Sequence, residues 1–211
     1  MRGEMSSFTP LARSFYQRPA DQVAAELLGR YLVRQLGRHR LVVRIVETEA
    51  YLGAPDRASH AWQGRRTPRN ESLYEPGGVA YVYFIYGMYY CLNAVTGGSD
   101  NGEAVLIRAA EPLAGLAAMT EHRKLGSSPR PGDLTGGPGK LCQALKIERD
   151  FDGQSLQRGP LRLTRGEPIE RARLVAAPRI GIGYAQEAVD WPLRFAESGN
   201  RHVSRPHPWK G

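Results

Sequence analysis

The segment Val46-Glu47-Thr48-Glu49-Ala50-Tyr51 sets two carboxylates and a phenol at the end of an apolar stretch. Alternate side chains of an extended chain share a face, which predicts that Leu41, Val43 and Ile45 lie on the same side as Glu47, Glu49 and Tyr51. Three chemistries suit that arrangement. The glutamates can simply meet water or arginines where a strand leaves its core. One can serve as a base at the mouth of a pocket, where desolvation and hydrogen bonds tune a carboxylate to orient and deprotonate a water. Together they can hold magnesium in a nuclease, a reading weakened by the lack of a further Asp/His cluster at recognisable spacing.

Downstream, Tyr74, Tyr81, Tyr83, Phe84, Tyr86, Tyr89 and Tyr90 supply more aromatic surface than one small sheet needs for its core. Tyrosine is a preferred strand residue, so sheet packing is the plain account of any one of them. A ring at a hairpin tip, Tyr86 before Gly87, can instead push into a base stack while other rings stack on an extruded base. Arg65, Arg66 and Arg69 stand in a polar insert within reach of phosphates; alone they make a basic loop. His60 can stack, donate a hydrogen bond, take part in catalysis or play a structural part. Gly136-Gly137-Pro138-Gly139-Lys140 opens a helix whose free N–H groups and lysine can hold a phosphate, but Leu141 breaks the nucleotide-binding P-loop pattern and argues against ATP.

Composition sets the frame for these residues. With 29 Lys+Arg against 21 Asp+Glu in 211 residues, the net charge is +8, which favours a polyanionic partner without naming one. Cys91 and Cys142 are too few for a disulfide framework and lack zinc spacing. No apolar run is long enough to span a bilayer, and the N-terminus lacks the apolar core of a secretory signal, so the expected location is the cytoplasm. The length suits one domain over residues 1–211, with loosely held ends at about 1–14 and 198–211.

The elements that must position the chemistry follow from periodicity. Helical spacing of Val23, Leu27 and Leu28 predicts a short helix over 20–28. Runs rich in Val, Ile, Leu and Tyr predict paired strands at 31–36 and 41–51, a hairpin of 81–86 with 89–95, and a strand over 104–109. Helices are expected over 113–124 and 139–147, with a surface loop at 126–138 between them, and further strands near 161–164, 174–182 and 193–196. The fold class is α+β, a mostly antiparallel sheet flanked by helices.

Taken together, Arg44-Ile-Val-Glu-Thr-Glu-Ala-Tyr-Leu-Gly53, Ser59-His60, Thr67-Pro-Arg-Asn70, Tyr81-Val-Tyr-Phe-Ile-Tyr-Gly-Met88, Cys91-Leu-Asn93 and Gly137-Pro-Gly-Lys-Leu-Cys-Gln-Ala-Leu145 resemble the alkyladenine (3-methyladenine) DNA glycosylase family, in family order over about residues 15–197. The resemblance implies that Glu49 is the general base and Glu47 a neighbour. It makes Tyr51, His60 and Tyr83 the walls around a flipped base, whose edge is read by backbone groups near Ala58 and His60. Tyr86 becomes the wedge of a protruding, DNA-intercalating hairpin, with Met88 beside it. Asn93 lies on the pocket floor, where it rejects normal guanine. Arg108, helped by the Ile180 carbonyl, binds the catalytic water; Lys140 and Arg69 approach the DNA backbone. No lysine stands beside the motif to form a Schiff base, so the expected reaction is hydrolysis without strand cleavage. It implies no cofactor or metal, double-stranded DNA containing damaged purines as partner, and a monomer that leaves an abasic site.

Overall fold

The computed structural model describes residues 8–209. Its organising element is strand β2 (His39–Tyr51), long enough to take a different neighbour at each end. Strand β1 (Tyr31–Leu36) pairs with its first half. Along the other edge runs β5 (Glu103–Ala114), followed by β4 (Tyr89–Thr96) and β3 (Ala80–Ile85). Beyond β1 lies β6 (Leu161–Thr164), while β8 (Arg194–Glu197) pairs with Glu47–Glu49 and with β7 (Leu174–Ala177). Each of these strand pairs is antiparallel, as expected of this α+β fold.

Helices cover one face of the sheet. α1 (Arg13–Tyr16) is a single turn, and α2 (Ala20–Leu27) buries Ala20, Val23, Ala24 and Leu27, the stripe that a 3.6-residue period directs to one side. α3 (Leu116–His122) and α4 (Pro138–Leu145) follow β5, and α4 buries Leu141, Cys142, Ala144 and Leu145. These helices share one apolar core with Leu41, Val43, Ile45, Val82, Leu92 and Ile107 of the sheet.

The simple alternation expected along β2 does not hold. Ile45 pairs with Ala110 but Glu47 with Ala109, so Val46 and Glu47 share one step of β5; between Glu47 and Thr48 the extra residue is Arg108 on β5. The first inverts the side-chain parity of β2 from there to Tyr51, and the second restores its register with β5. Leu41, Val43 and Ile45 point into the helical core, and so do Thr48, which donates to the Ala24 carbonyl at 2.8 Å, and Ala50. Glu47, Glu49 and Tyr51 point the other way.

Some boundaries also moved. The helix expected from 113 starts at Leu116, because β5 keeps pairing with β2 as far as Ala114 and Gly115, at φ +81°, breaks the chain direction. The strand expected over 174–182 ends at Ala177, since Pro178 has no N–H to continue a ladder. The 126–138 loop is tied down at its end, where Gly136 bridges Ala109 and Thr135 Oγ1 donates to the Ala110 carbonyl.

Parts of both end segments pack against the sheet. Leu11 is buried, its N–H donates to the Leu163 carbonyl, and Pro10 bridges Thr164. Val203 and Ser204 are buried as well, packed against the face that carries the carboxylates. Residues 1–7, the first part of the expected N-terminal arm, lie outside the described range, as do the last two.

Candidate active site

Glu49 is fully buried, accepts two hydrogen bonds and pairs with one guanidinium. Oε1 takes the backbone N–H of Ile180 at 2.8 Å and faces Arg108 Nη1 at 3.2 Å; Oε2 takes the Tyr51 hydroxyl at 2.9 Å. Tyr51, Arg108 and Ile180 all line a cavity of about 260 Å³. The carboxylate therefore stands one layer behind the cavity wall, not at a mouth. The Ile180 group turned to the carboxylate is its N–H, not the carbonyl expected to help bind a water.

Glu47 anchors Arg108 from behind. Its Oε1 accepts from Arg108 Nε at 3.1 Å, Arg194 Nε at 2.7 Å and Ser204 Oγ at 2.9 Å, and its Oε2 from the Ser204 N–H at 2.7 Å. A buried carboxylate with two guanidinium partners has its charge balanced within the protein. Burial works against the charge of Arg108, but attraction to Glu49 and then Glu47 outweighs it, and the guanidinium is held above its ordinary value. Its place in the β5 bulge turns Arg108 onto the same face as both glutamates.

The rest of the cavity is aromatic. β3 and β4 send Tyr81, Tyr83, Cys91 and Asn93 inward as cross-strand pairs, Tyr81 opposite Asn93 and Tyr83 opposite Cys91. His60 packs edge-on to Tyr83 with centroids 4.6 Å apart, and its Nδ1 lies 2.8 Å from the Tyr81 hydroxyl. Asn93 Nδ2 donates to the Tyr81 carbonyl at 3.1 Å, which fixes the amide within the cavity lining. Gly139 closes one side. A Cβ there would meet the Tyr89 ring at 2.9 Å, so the helix can approach this closely only as glycine.

Comparison with known proteins accords with this geometry. Residues 14–201 match the methylpurine-DNA glycosylase (MPG) family. The chain belongs to that family. It is 44% identical over 201 residues to a Clostridium botulinum protein named for 3-methyladenine DNA glycosylase, covering 92% of this chain and 98% of the relative. A Myxococcus xanthus protein of the same name is 45% identical over 94% of this chain and 95% of its own length. The mouse DNA-3-methyladenine glycosylase is 45% identical over 92% of this chain and 61% of the mouse protein.

In this methylpurine-DNA glycosylase family member the β3–β4 turn presents its tip to solvent. Tyr86 is 75% exposed and Met88 is also exposed. Tyr86 and Gly87 adopt φ +54° and +66°, and Met88 N–H donates to the Ile85 carbonyl at 3.2 Å, a tight turn with two left-handed residues. Gly87 takes this conformation freely, whereas at Tyr86 it costs roughly 1 kcal/mol or more. Tyr86 lies at the cavity rim and Met88 outside it. Arg69 braces the hairpin, donating to the Phe84 carbonyl at 3.0 Å, and Lys140 Nζ lies 3.3 Å from the Gly132 carbonyl.

Ala58 lines the cavity, but its N–H is committed to Asp56 Oδ1 at 2.9 Å and is not free to read a base edge. Asp56 and Arg179 form a fully buried ion pair, Nη1 to Oδ2 at 2.5 Å and Nη2 to Oδ1 at 2.8 Å. Arg179 also donates to the Ala50 carbonyl and stands 4.8 Å from the Tyr51 ring centroid. This pair, Ser204, Arg194 and the rim residue Tyr184 were missed from sequence. The only signal for them was position: Arg179 directly precedes Ile180, and Tyr184 closes the Gly181-Ile182-Gly183 run.

Proposed function

We propose that the chain is a DNA glycosylase of base excision repair that extrudes an alkylated or deaminated purine from duplex DNA and hydrolyses its N-glycosidic bond. One observation carries this reading: a carboxylate held by donors from Tyr51, Arg108 and Ile180 directly behind the wall of an aromatic cavity. Family membership and the name of the mouse relative support it.

In this reading a purine enters between Tyr51, His60 and Tyr83 while Tyr86 fills the gap left in the stack. A water bound at Glu49 attacks C1′, Glu49 takes its proton, and the glycosidic electrons leave with the base. The Arg108 contact, the longest of the three, yields most easily to admit that water. Alkylation at N3 or N7 puts positive charge on the purine, so the base departs neutral; a deaminated purine starts neutral, and its departing base takes up a proton from solvent. The protein's task is then to stabilise an oxocarbenium-like sugar and place one nucleophile. Asn93 excludes the exocyclic amine of normal guanine. The product is an abasic site with the strand intact, and the enzyme acts as a monomer because one chain carries both cavity and hairpin.

Single-turnover incubation with duplexes containing 7-methylguanine or hypoxanthine, in chelator, tests the proposal. Free base, with strand breaks appearing only after alkali, is the expected result. Tight binding without base release would replace hydrolysis by lesion recognition alone, and breaks before alkali would overturn the intact-strand product.

A further inference from the structure

A second cleft, of about 740 Å³, opens between the 130–137 loop and the C-terminal segment. Its walls carry Arg130, Lys140, Arg201 and Arg205 against one carboxylate, Asp133. Asp133 is already engaged, accepting from the Arg130 N–H at 2.9 Å and pairing with Arg130 Nε at 3.2 Å. Lys140 spends one donor on Gly132 and keeps others. Arg201 and Arg205 are exposed and have no ion-pair partner among the described residues.

Both walls are fixed. The Gly132 N–H donates to His202 Nδ1 at 3.3 Å, and Arg194 Nη2 holds the Ser204 and Pro206 carbonyls at 3.2 and 2.8 Å. Between the outward arginines, Val203 and Ser204 are buried, so the segment shows its basic side chains outward on a rigid base. The cleft adjoins the base cavity: Arg108 lines both, and along one turn Pro138 and Gly139 face the cavity while Gly136, Gly137 and Lys140 face the cleft.

We propose that the cleft binds the phosphodiester backbone of the damaged strand beside the flipped nucleotide, with Arg201 and Arg205 as phosphate contacts. The inference rests on the glycosylase reading and deepens it. Cations on separate chain segments, in a trough too large for one small ion, match a run of regularly spaced phosphates.

The test is the salt dependence of lesion-duplex binding by the full chain and by Arg201→Gln/Arg205→Gln, with thermal unfolding as a check on the fold. Each phosphate contact contributes about 0.9 to the slope of log K against log salt, so the double variant should lose about 1.8 from the slope and, with the two lines meeting near 1 M salt, bind roughly sixtyfold more weakly at about 0.1 M salt. A control, Arg38→Gln/Arg171→Gln, removes the same charge outside the cleft and should keep the wild-type slope. An unchanged slope in the first variant, or an equal loss in both, overturns the proposal. The glycosylase reading fails separately, if the unmodified chain neither binds the lesion nor releases base.

Discussion

Ser204 Oγ lies 2.9 Å from Glu47 Oε1, across 157 positions of sequence, and the Ser204 N–H holds the other carboxylate oxygen at 2.7 Å. The C-terminal segment thereby grips Glu47. Glu47 in turn fixes Arg108, and Arg108 reaches Glu49. A chain end that composition marks as a loose arm completes the polar network behind the cavity.

Replacing Ser204 by alanine removes one donor from Glu47 while leaving the backbone contact. We expect the single-turnover excision rate to fall about tenfold, equivalent to about 1.4 kcal/mol, with affinity for lesion DNA within twofold of wild type. Ser204→Thr keeps the hydroxyl and should restore the rate. A matching loss of affinity, or no rescue by threonine, would assign Ser204 a packing role only.

Glu49→Gln keeps the shape of the side chain but cannot accept a proton from water. Base release should fall by about 10²- to 10⁴-fold while lesion-duplex binding persists. An unchanged excision rate measured in single turnover would remove Glu49 from its assigned role.

Tyr86→Ala takes the exposed ring from the hairpin tip. Stacking of an aromatic on a base is worth about 1–3 kcal/mol, so lesion affinity should weaken roughly five- to a hundredfold in a binding titration. Equal affinity and rate in this variant would show that the ring does not enter the stack.

The Asp56–Arg179 pair ties the 52–58 loop to the segment carrying Ile180, and neither side chain has exposed surface. Arg179→Met leaves a buried carboxylate without its partner, which costs about 3–5 kcal/mol and should lower the melting temperature on the order of 10 °C. Calorimetry decides this. A shift of only a degree or two would mean that Asp56 finds another partner.

Burial, and after it the neighbouring Arg69 and Arg65, hold the His60 imidazole below its ordinary value. As pH falls below about 6.5, the unfolded chain gains a proton that the fold refuses until a lower pH, so stability declines across that window. Burial shifts His202 the same way. Denaturant midpoints followed from about pH 7.5 to 5.5 should therefore fall less steeply in His60→Gln than in wild type, the remainder belonging to His202. Parallel curves would contradict the direction assigned to His60.

Much of the fold was legible because it rests on local pattern. The spacing of Val23 and Leu27 marked α2, apolar and aromatic runs marked the strand pairs, and Gly87 marked the turn that exposes Tyr86. The order of the motif blocks pointed to the family. Pairing between distant segments decided the rest. Whether Glu49 shares a face with Ile45 depends on the extra residue at Val46–Glu47, and whether Arg108 joins it depends on the extra residue in β5; a two-residue period read along either strand carries no trace of these bulges. The same holds for Ile180 against Glu49 and Ser204 against Glu47, 131 and 157 positions apart. These contacts arise because a buried carboxylate must find donors wherever the packed chain brings them, and the folded backbone, not residue spacing, determines which donors arrive.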